Sequence, residues 1–319
     1  MKLNKKISAA LLLYSTLPAP LVAAATGDAV DSTSISVSTD SLYRYGMPLV
    51  WHDEFNEISL DSSSWTVEYN DNGNGNSELQ FYSERGVSMG TEPTTGAHCL
   101  ILTARREQQG LLQFTSGRVI SAGKRTFTYG VLESRIMLPK TANGLWPAFW
   151  LLGDNYKNVG WPRCGEIDIL EMGNSEGIKN GTQEKFFNGA CHWGHYNTTG
   201  QYPNYVGAST NSYSLQDGKF HTFTLEWDST HISMYVDRDS IPDAKPYYSI
   251  DTSDKIGDLA AGNYFNHDFF IIYNLAVGGF FTGINNPNDV TALGEDGEAK
   301  MYVDWVRLYQ KPKEDNGNE

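Results

Sequence analysis

The sequence predicts an all-β fold, a sandwich or a barrel, and three observations carry that reading. Short alternating or continuously apolar runs recur along the chain with turn residues between them, and about a dozen read as strands. No long segment combines a 3.6-residue apolar period with helix caps. No internal repeat is evident, so the runs belong to one domain, from residue 46 to 312.

Taken in order, the chain opens with a basic start, "MKLNKK", and an apolar stretch, "ISAALLLYSTLPAPLVAAA", that ends in small residues. This is the pattern of a secretory signal peptide over residues 1–25, cut near Ala24 or Ala25. Pro18 and Pro20 interrupt the run and no second basic flank follows, which argues against a membrane anchor. No other stretch approaches the ~20 apolar residues that a span needs. A secreted or periplasmic location is expected. Residues 26–45 are rich in Ser, Thr, Asp and Gly and read as a linker or irregular extension. The strand candidates follow: "CLILTARR", "FTYGVLESRIML", "FFNGACHW", "FFIIYNLAVGG" and "MYVDWVRLYQ". "HTFTLEWDSTHISMYVD" reads as a hairpin, with Phe223, Leu225 and Trp227 facing Ile232, Met234 and Val236 across a "DST" turn. Residues 313–319 form a polar tail.

Hydrophobic residues make up 40% of the chain, enough for a sizeable core, while the net charge is −14. That charge disfavours nucleic acid and anionic membranes as partners, and it weighs mildly against sulfated or uronic-acid polymers. Three cysteines, Cys99, Cys164 and Cys191, lack metal-ligand spacing and read as buried small hydrophobes. A Cys164–Cys191 disulfide is left open, and an odd count leaves at least one thiol over.

The chemistry concentrates in "GEIDILEM", residues 165–172. Strand period 2 puts Glu166 and Asp168 on one face and Glu171 on the other. One extra residue between Asp168 and Glu171, a β-bulge, would reverse the parity and return Glu171 to the face of the first two. Crowded carboxylates raise one another's pKa, so one can hold a proton as general acid while another, ionised, acts as nucleophile or base. Glycosidic bond cleavage needs such a pair. The same acids would also suit a hard cation or a solvated sheet edge, although the alternating apolar residues argue against the edge.

These residues resemble glycoside hydrolase family 16, above all its laminarinase-like members. "GLWPAFWLLG" and "GWPRCGEIDILEMGN" carry the likeness, and the signature E-x-D-x-x-E falls on Glu166, Asp168 and Glu171 without a gap. "LVWHDEF", "NGNSELQFYS", "TSGRVISAGKRTFTYGVLESRIMLP", "NGACHWG" and "MYVDWVRLYQ" agree in order and spacing over residues 49 to 310. The resemblance implies a jelly-roll β-sandwich with a concave substrate cleft. It implies endo-hydrolysis of a β-glucan with retention, with Glu166 as nucleophile, Asp168 as helper and Glu171 as acid/base. No cofactor is expected for catalysis, a polysaccharide is the expected partner, and the chain is read as a monomer. The bulged signature tilts the expectation toward β-1,3 or mixed β-1,3/1,4 glucans.

The likeness also names the cleft. Trp146, Trp150 and Trp161 flank the acids, where a ring can pack against the C–H face of a sugar. His192 is expected near the acids, with Trp193 as a neighbour in the same cleft. Asn76 and Arg118 match positions that contact sugar hydroxyls, and Glu78 either does so or positions a cleft wall. Asp304, with the Gly90 carbonyl and Glu54, is the implied structural calcium site on the convex face.

Overall fold

The computed structural model describes residues 41–312, apart from Pro242 and residues 294–296. The expected signal peptide, the linker up to residue 40 and the polar tail lie outside these described residues. Within them the chain forms two large, mostly antiparallel sheets, of eleven and eight strands, with only short helical turns between. The pattern is a two-layer β-sandwich.

The smaller sheet carries the site. Its acid-bearing strand is Glu166–Met172, flanked by Leu145–Gly153 and Phe186–His192. Asn204–Thr210 lies beyond on one side, and Phe269–Val277, Arg118–Ile120 and Thr66–Val67 follow on the other. Phe269–Val277 is buried at all nine positions. This explains its nearly unbroken apolar sequence, since a strand covered on both faces has no reason to alternate.

The core lies between the sheets. Leu132, Leu225, Trp227, Val303 and Val306 come from the larger sheet and meet Phe149, Leu151, Ile167, Ile169, Tyr273 and Leu275 from the smaller one. Phe149 stacks on Tyr273 with ring centroids 4.8 Å apart. Each such side chain contributes about 1.5–3 kcal/mol when fully buried. The expected hairpin is present, with Phe223 paired to Val236 and Trp227 to Ile232.

One expectation changes, and one open question is settled. Residues at the end of the presumed linker belong to the sheet. Tyr43–Arg44 pairs with Met47–Pro48, and Arg44 reaches the fully buried Glu133 at 2.7 Å. The polar composition of 26–45 hides this anchor because it needs only one Arg and one Tyr. The disulfide left open is not formed: Cys99, Cys164 and Cys191 are all buried free thiols. Burial pushes the Cys99 and Cys164 thiols up to about 12, which keeps them protonated. Among the described residues no helix is long and apolar enough to cross a membrane.

Candidate active site

The bulge sits where the acid parity requires it. Opposite Leu145–Gly153, Phe149 pairs with Leu170 and Trp150 with Asp168, so Ile169 is the extra residue. The pairing with Phe186–His192 shifts over the same interval. Ile169 and Leu170 therefore both point into the core, at 0% exposure, and Glu171 rejoins Glu166 and Asp168 on the outer face. The hydroxyl of Tyr247 donates to the Ile169 carbonyl and occupies the backbone acceptor that the bulge frees.

Strand pairing builds the cleft as rungs across the sheet. One rung runs Asn188, Glu171, Ala148, Asn274, Arg118. The next places Asp168 beside Trp150, and the third His192 beside Glu166 and Leu152. The small Ala148 leaves a gap between Glu171 and Asn274. These residues line a cleft of about 790 Å³, together with Asn76, Glu78, Trp146, Trp161, Tyr196, Tyr202, Phe280 and Phe281.

Each glutamate accepts one indole N–H. Trp161 Nε1 donates to Glu166 Oε2 at 3.1 Å, and Trp146 Nε1 donates to Glu171 Oε1 at 3.1 Å. His192 Nε2 lies 3.4 Å from Asp168 Oδ2 and 3.9 Å from Glu166 Oε1. Asp168 Oδ2 is buried with no hydrogen-bond partner, as is Asn188 Oδ1. Burial, then the neighbouring Asp168, pushes the Glu166 carboxyl up to about 8, against the opposing pull of His192 and the Trp161 N–H. Burial and Asp168 likewise hold Glu171 well above the usual carboxylate range, and burial does the same to Asp168. Three charges in one desolvated groove are not tolerated together, so the cluster retains protons into the neutral range.

The structure brings Asn76, Arg118, Trp146, Trp150, Trp161 and His192 to the cleft, each in a different way. Trp161 is 40% exposed and offers a free ring, held edge-on by Tyr202 at 4.7 Å. Trp146 is 9% exposed and stacks on Phe281 at 4.7 Å, so it fixes Glu171 more than it presents a platform. Trp150 donates to Asn274 Oδ1 at 2.7 Å, and the Arg118 guanidinium covers its ring at 5.0 Å while pairing with Glu68 at 2.6 Å. Glu78 Oε2 accepts from Asn74, Gln80 and Tyr82 and builds the wall. Trp193 is not in the cleft: it packs in the core and donates to the Leu259 carbonyl at 2.9 Å. Tyr196, Tyr202, Phe281, Asn188 and Asn274 were not singled out from sequence. For Asn188, the only available signal was its place in "NGACHWG".

The calcium set on the convex face does not fit a metal as it stands. Asp304 Oδ2 is held by Arg135 at 2.5 Å, and both oxygens of Glu54 are taken by Arg307, at 2.9 and 2.7 Å. A cation beside Gly90 would have to compete with two guanidinium groups for its ligands. Among the described residues, the cluster of metal-ligating side chains is Glu166, Asp168 and His192.

An acid-floored, ring-walled groove across a β-sandwich defines a carbohydrate-active class of site, since it suits a chain whose units carry apolar faces and polar rims. Residues 58–257 match the glycosyl hydrolases family 16, and the chain belongs to that family. It is 34% identical to the glucan endo-1,3-beta-glucosidase of Cryptopygus antarcticus, over 82% of this chain and 91% of that protein. It is 31% identical to the clotting factor G alpha subunit of Tachypleus tridentatus over 82% of this chain, which spans only 34% of that protein's length. Among solved structures it is similar to the mixed-linkage glucan family 16 protein of Bacteroides ovatus in complex with a G4G4G3G product. That likeness has a TM-score of 0.71 and 39% identity, and covers 82% of this chain and 100% of that one.

Proposed function

We propose that this chain is a retaining endo-hydrolase of β-glucans with β-1,3 or mixed β-1,3/1,4 links, exported by its N-terminal leader and active as a monomer without a catalytic cofactor. The observation that carries the proposal is the Ile169 bulge, which sets Glu171 on the cleft face beside Glu166 and Asp168. The names of the relatives support the substrate class.

In this reading a Glu166 oxygen attacks the anomeric carbon while the bond to the leaving oxygen breaks and Glu171 delivers its proton to that oxygen. Glu171 then takes a proton from water as the water oxygen attacks the same carbon and the bond to Glu166 breaks. Two inversions leave the β anomer. His192 and the Trp161 N–H lie on the Glu166 side and favour its ionised form, which supports Glu166 as the nucleophile. Asp168, between the two glutamates in sequence and on their face, is the helper in this reading, and its Oδ2, which lacks a hydrogen bond, supports a role in sharing a proton. Trp161, Asn76 and Arg118 hold sugar units along the groove.

The test is reducing-end release from laminarin, lichenan and barley glucan side by side, with early product anomers read by NMR. β product from at least one of them is expected. Early α product overturns retention, binding without cleavage overturns hydrolysis in favour of a glucan-binding role, and redistribution of chain lengths without net hydrolysis indicates a transglycosylase. Activity confined to a galactan panel overturns the substrate class. Replacing Glu171 is expected to slow cleavage of the natural polymers by about 10²–10⁴-fold, and that of aryl glycosides with good leaving groups far less.

A further inference from the structure

We propose that Glu166, Asp168 and His192 form a site for one d-block dication of the zinc or copper class, and that its occupancy closes the cleft to substrate. Binding follows from geometry alone; the closing of the cleft rests on the catalytic reading above.

The donor atoms of the three side chains all lie within 4.8 Å of one another. Zinc bonds of about 2.0–2.2 Å place the corners of a tetrahedron roughly 3.3–3.6 Å apart. The 3.4 Å between His192 Nε2 and Asp168 Oδ2 is such an edge, and the 3.9 Å to Glu166 Oε1 exceeds it by less than a small rotamer change closes. Asp168 is 95% buried by its 5% exposure, and its Oδ2 faces this cluster with no other hydrogen-bond partner.

The outer contacts are also of the right kind. Tyr202 OH lies 3.3 Å from His192 Nδ1, so it can accept the ring proton and leave Nε2 free to ligate, as outer partners of metal-bound histidines do. Trp161 Nε1 binds the other oxygen of Glu166, Oε2, and leaves Oε1 for the metal. Once the metal has displaced their protons, two carboxylates and a neutral imidazole balance a dication, and the imidazole selects zinc or copper over calcium or magnesium. All three ligands line the cleft, where the sugar would sit. Competing soft ligands are shut away, since all three thiols are buried.

The test is calorimetric titration of zinc chloride into the full-length protein, stripped with EDTA, at neutral pH. One site per chain is expected. His192→Gln and Glu166→Gln are expected to weaken it tenfold or more, and Tyr202→Phe by about tenfold through the outer contact. Magnesium and calcium at equal concentration are expected to give no heat. Melting curves establish that the variants are folded. An isotherm unchanged in folded His192→Gln, or no binding at millimolar zinc, overturns the site. In the active enzyme, zinc is expected to compete with laminarin and to be reversed by EDTA; inhibition that laminarin does not relieve overturns the closing of the cleft. Calorimetry reads the site even if the chain cleaves no glucan, so failure of the hydrolase reading and failure of this one are separable.

Discussion

Each sheet of the sandwich buries carboxylate on its outer face, and the two cases are treated in opposite ways. On the larger sheet Glu133 is fully buried and fully answered. Arg44 holds one oxygen at 2.7 Å, Thr224 donates to the other at 2.9 Å, and the Tyr45 hydroxyl joins it. On the smaller sheet Asp168 is nearly as buried, yet its Oδ2 has no hydrogen bond, only the His192 ring nitrogen 3.4 Å away, and its other neighbours are two more acids. A buried carboxylate without partners costs several kcal/mol. The larger sheet spends an Arg, a Tyr and a Thr to avoid that cost. The smaller sheet tolerates it, which locates the place where the fold is not optimised for stability.

The comparison is broken most directly by removing one acid from each sheet. Glu166→Ala is expected to lower glucan hydrolysis by about 10⁴-fold or more, as loss of a nucleophile does. The melting temperature should hold or rise, because one of three crowded acids has gone. Reducing-end assays and thermal melts on the same preparation check both. A variant that melts far below the parent would mean that the acids of the cleft are structural after all.

Glu133→Gln should do the reverse. It leaves the partly exposed Arg44 facing a neutral group and removes the charge of the buried partner, for a loss at the low end of the buried-pair range, about 3 kcal/mol. In a domain of this size that is roughly 6–12 °C in melting temperature. Specific activity of the folded fraction is expected to stay within twofold or so of the parent. Deleting the chain up to Tyr45 should cost a comparable amount by the same route. Equal stability with and without Arg44 would show that Glu133 does not need its partner.

How far the two sheets were legible in the sequence follows from the same contrast. The bulge was readable, because acids on opposite parities of one apolar strand make sense only if the parity breaks. Alternation past His192 already assigns Trp193 to the opposite face, so its place in the core was available from the strand period and was outweighed by the resemblance. Asn188, Ala148 and Asn274 could not be placed, since their rung exists only once three strands are in register. Tyr196 and Tyr202 lie in an irregular segment with no period to read. Arg44 and Tyr45 were lost for a related reason: a single buried partner 89 and 88 residues away, respectively, leaves no local pattern. On the convex face, the resemblance suggested a metal where local pairing supplies Arg135 and Arg307 instead.

A third test uses pH on the larger sheet, over a background from the cleft acids, whose raised pKa values also lose stability as pH rises. His221 is buried between Asp237, at 2.8 Å from Nδ1, and Asp217, at 3.2 Å from Nε2; Tyr213 also donates to Asp237 at 2.5 Å. Burial pulls the imidazole pKa down, but the hydrogen bonds and charge of Asp237 and Asp217 outweigh it and the net shift is upward. Burial likewise opposes, but does not prevent, a net lowering of Asp217 and Asp237. A raised histidine stabilises fully below its unfolded pKa and loses that contribution as pH rises through the folded value. Lowered aspartates stabilise above their unfolded pKa and lose it as pH falls through their folded values. The cluster therefore supports the fold most in mild acid. The melting temperature of the parent should fall by a few degrees from mildly acidic to mildly alkaline buffer, and His221→Gln should flatten that slope. An unchanged slope would assign the pH dependence to other groups.

The smallest effect sharpens the comparison at its origin, the bulge itself. Tyr247 donates its hydroxyl to the Ile169 carbonyl, so a residue outside the cleft holds the feature that turns Glu171 inward. Tyr247→Phe keeps the ring, its edge-on packing at 4.7 Å from Phe187, and nearly all the buried area. What is lost is one donor to a backbone oxygen, worth about 1 kcal/mol, or roughly 2–4 °C in melting temperature. If the hydroxyl also fixes the strand, kcat should drop severalfold with KM unchanged, because Glu171 is displaced while the sugar-binding rings are untouched. Loss of stability with kcat intact would mean that the bulge is held by its own pairings to Phe149 and Trp150 on one side and Asn188 on the other. The positioning of the third acid would then be a property of the sheet and not of the hydroxyl beneath it.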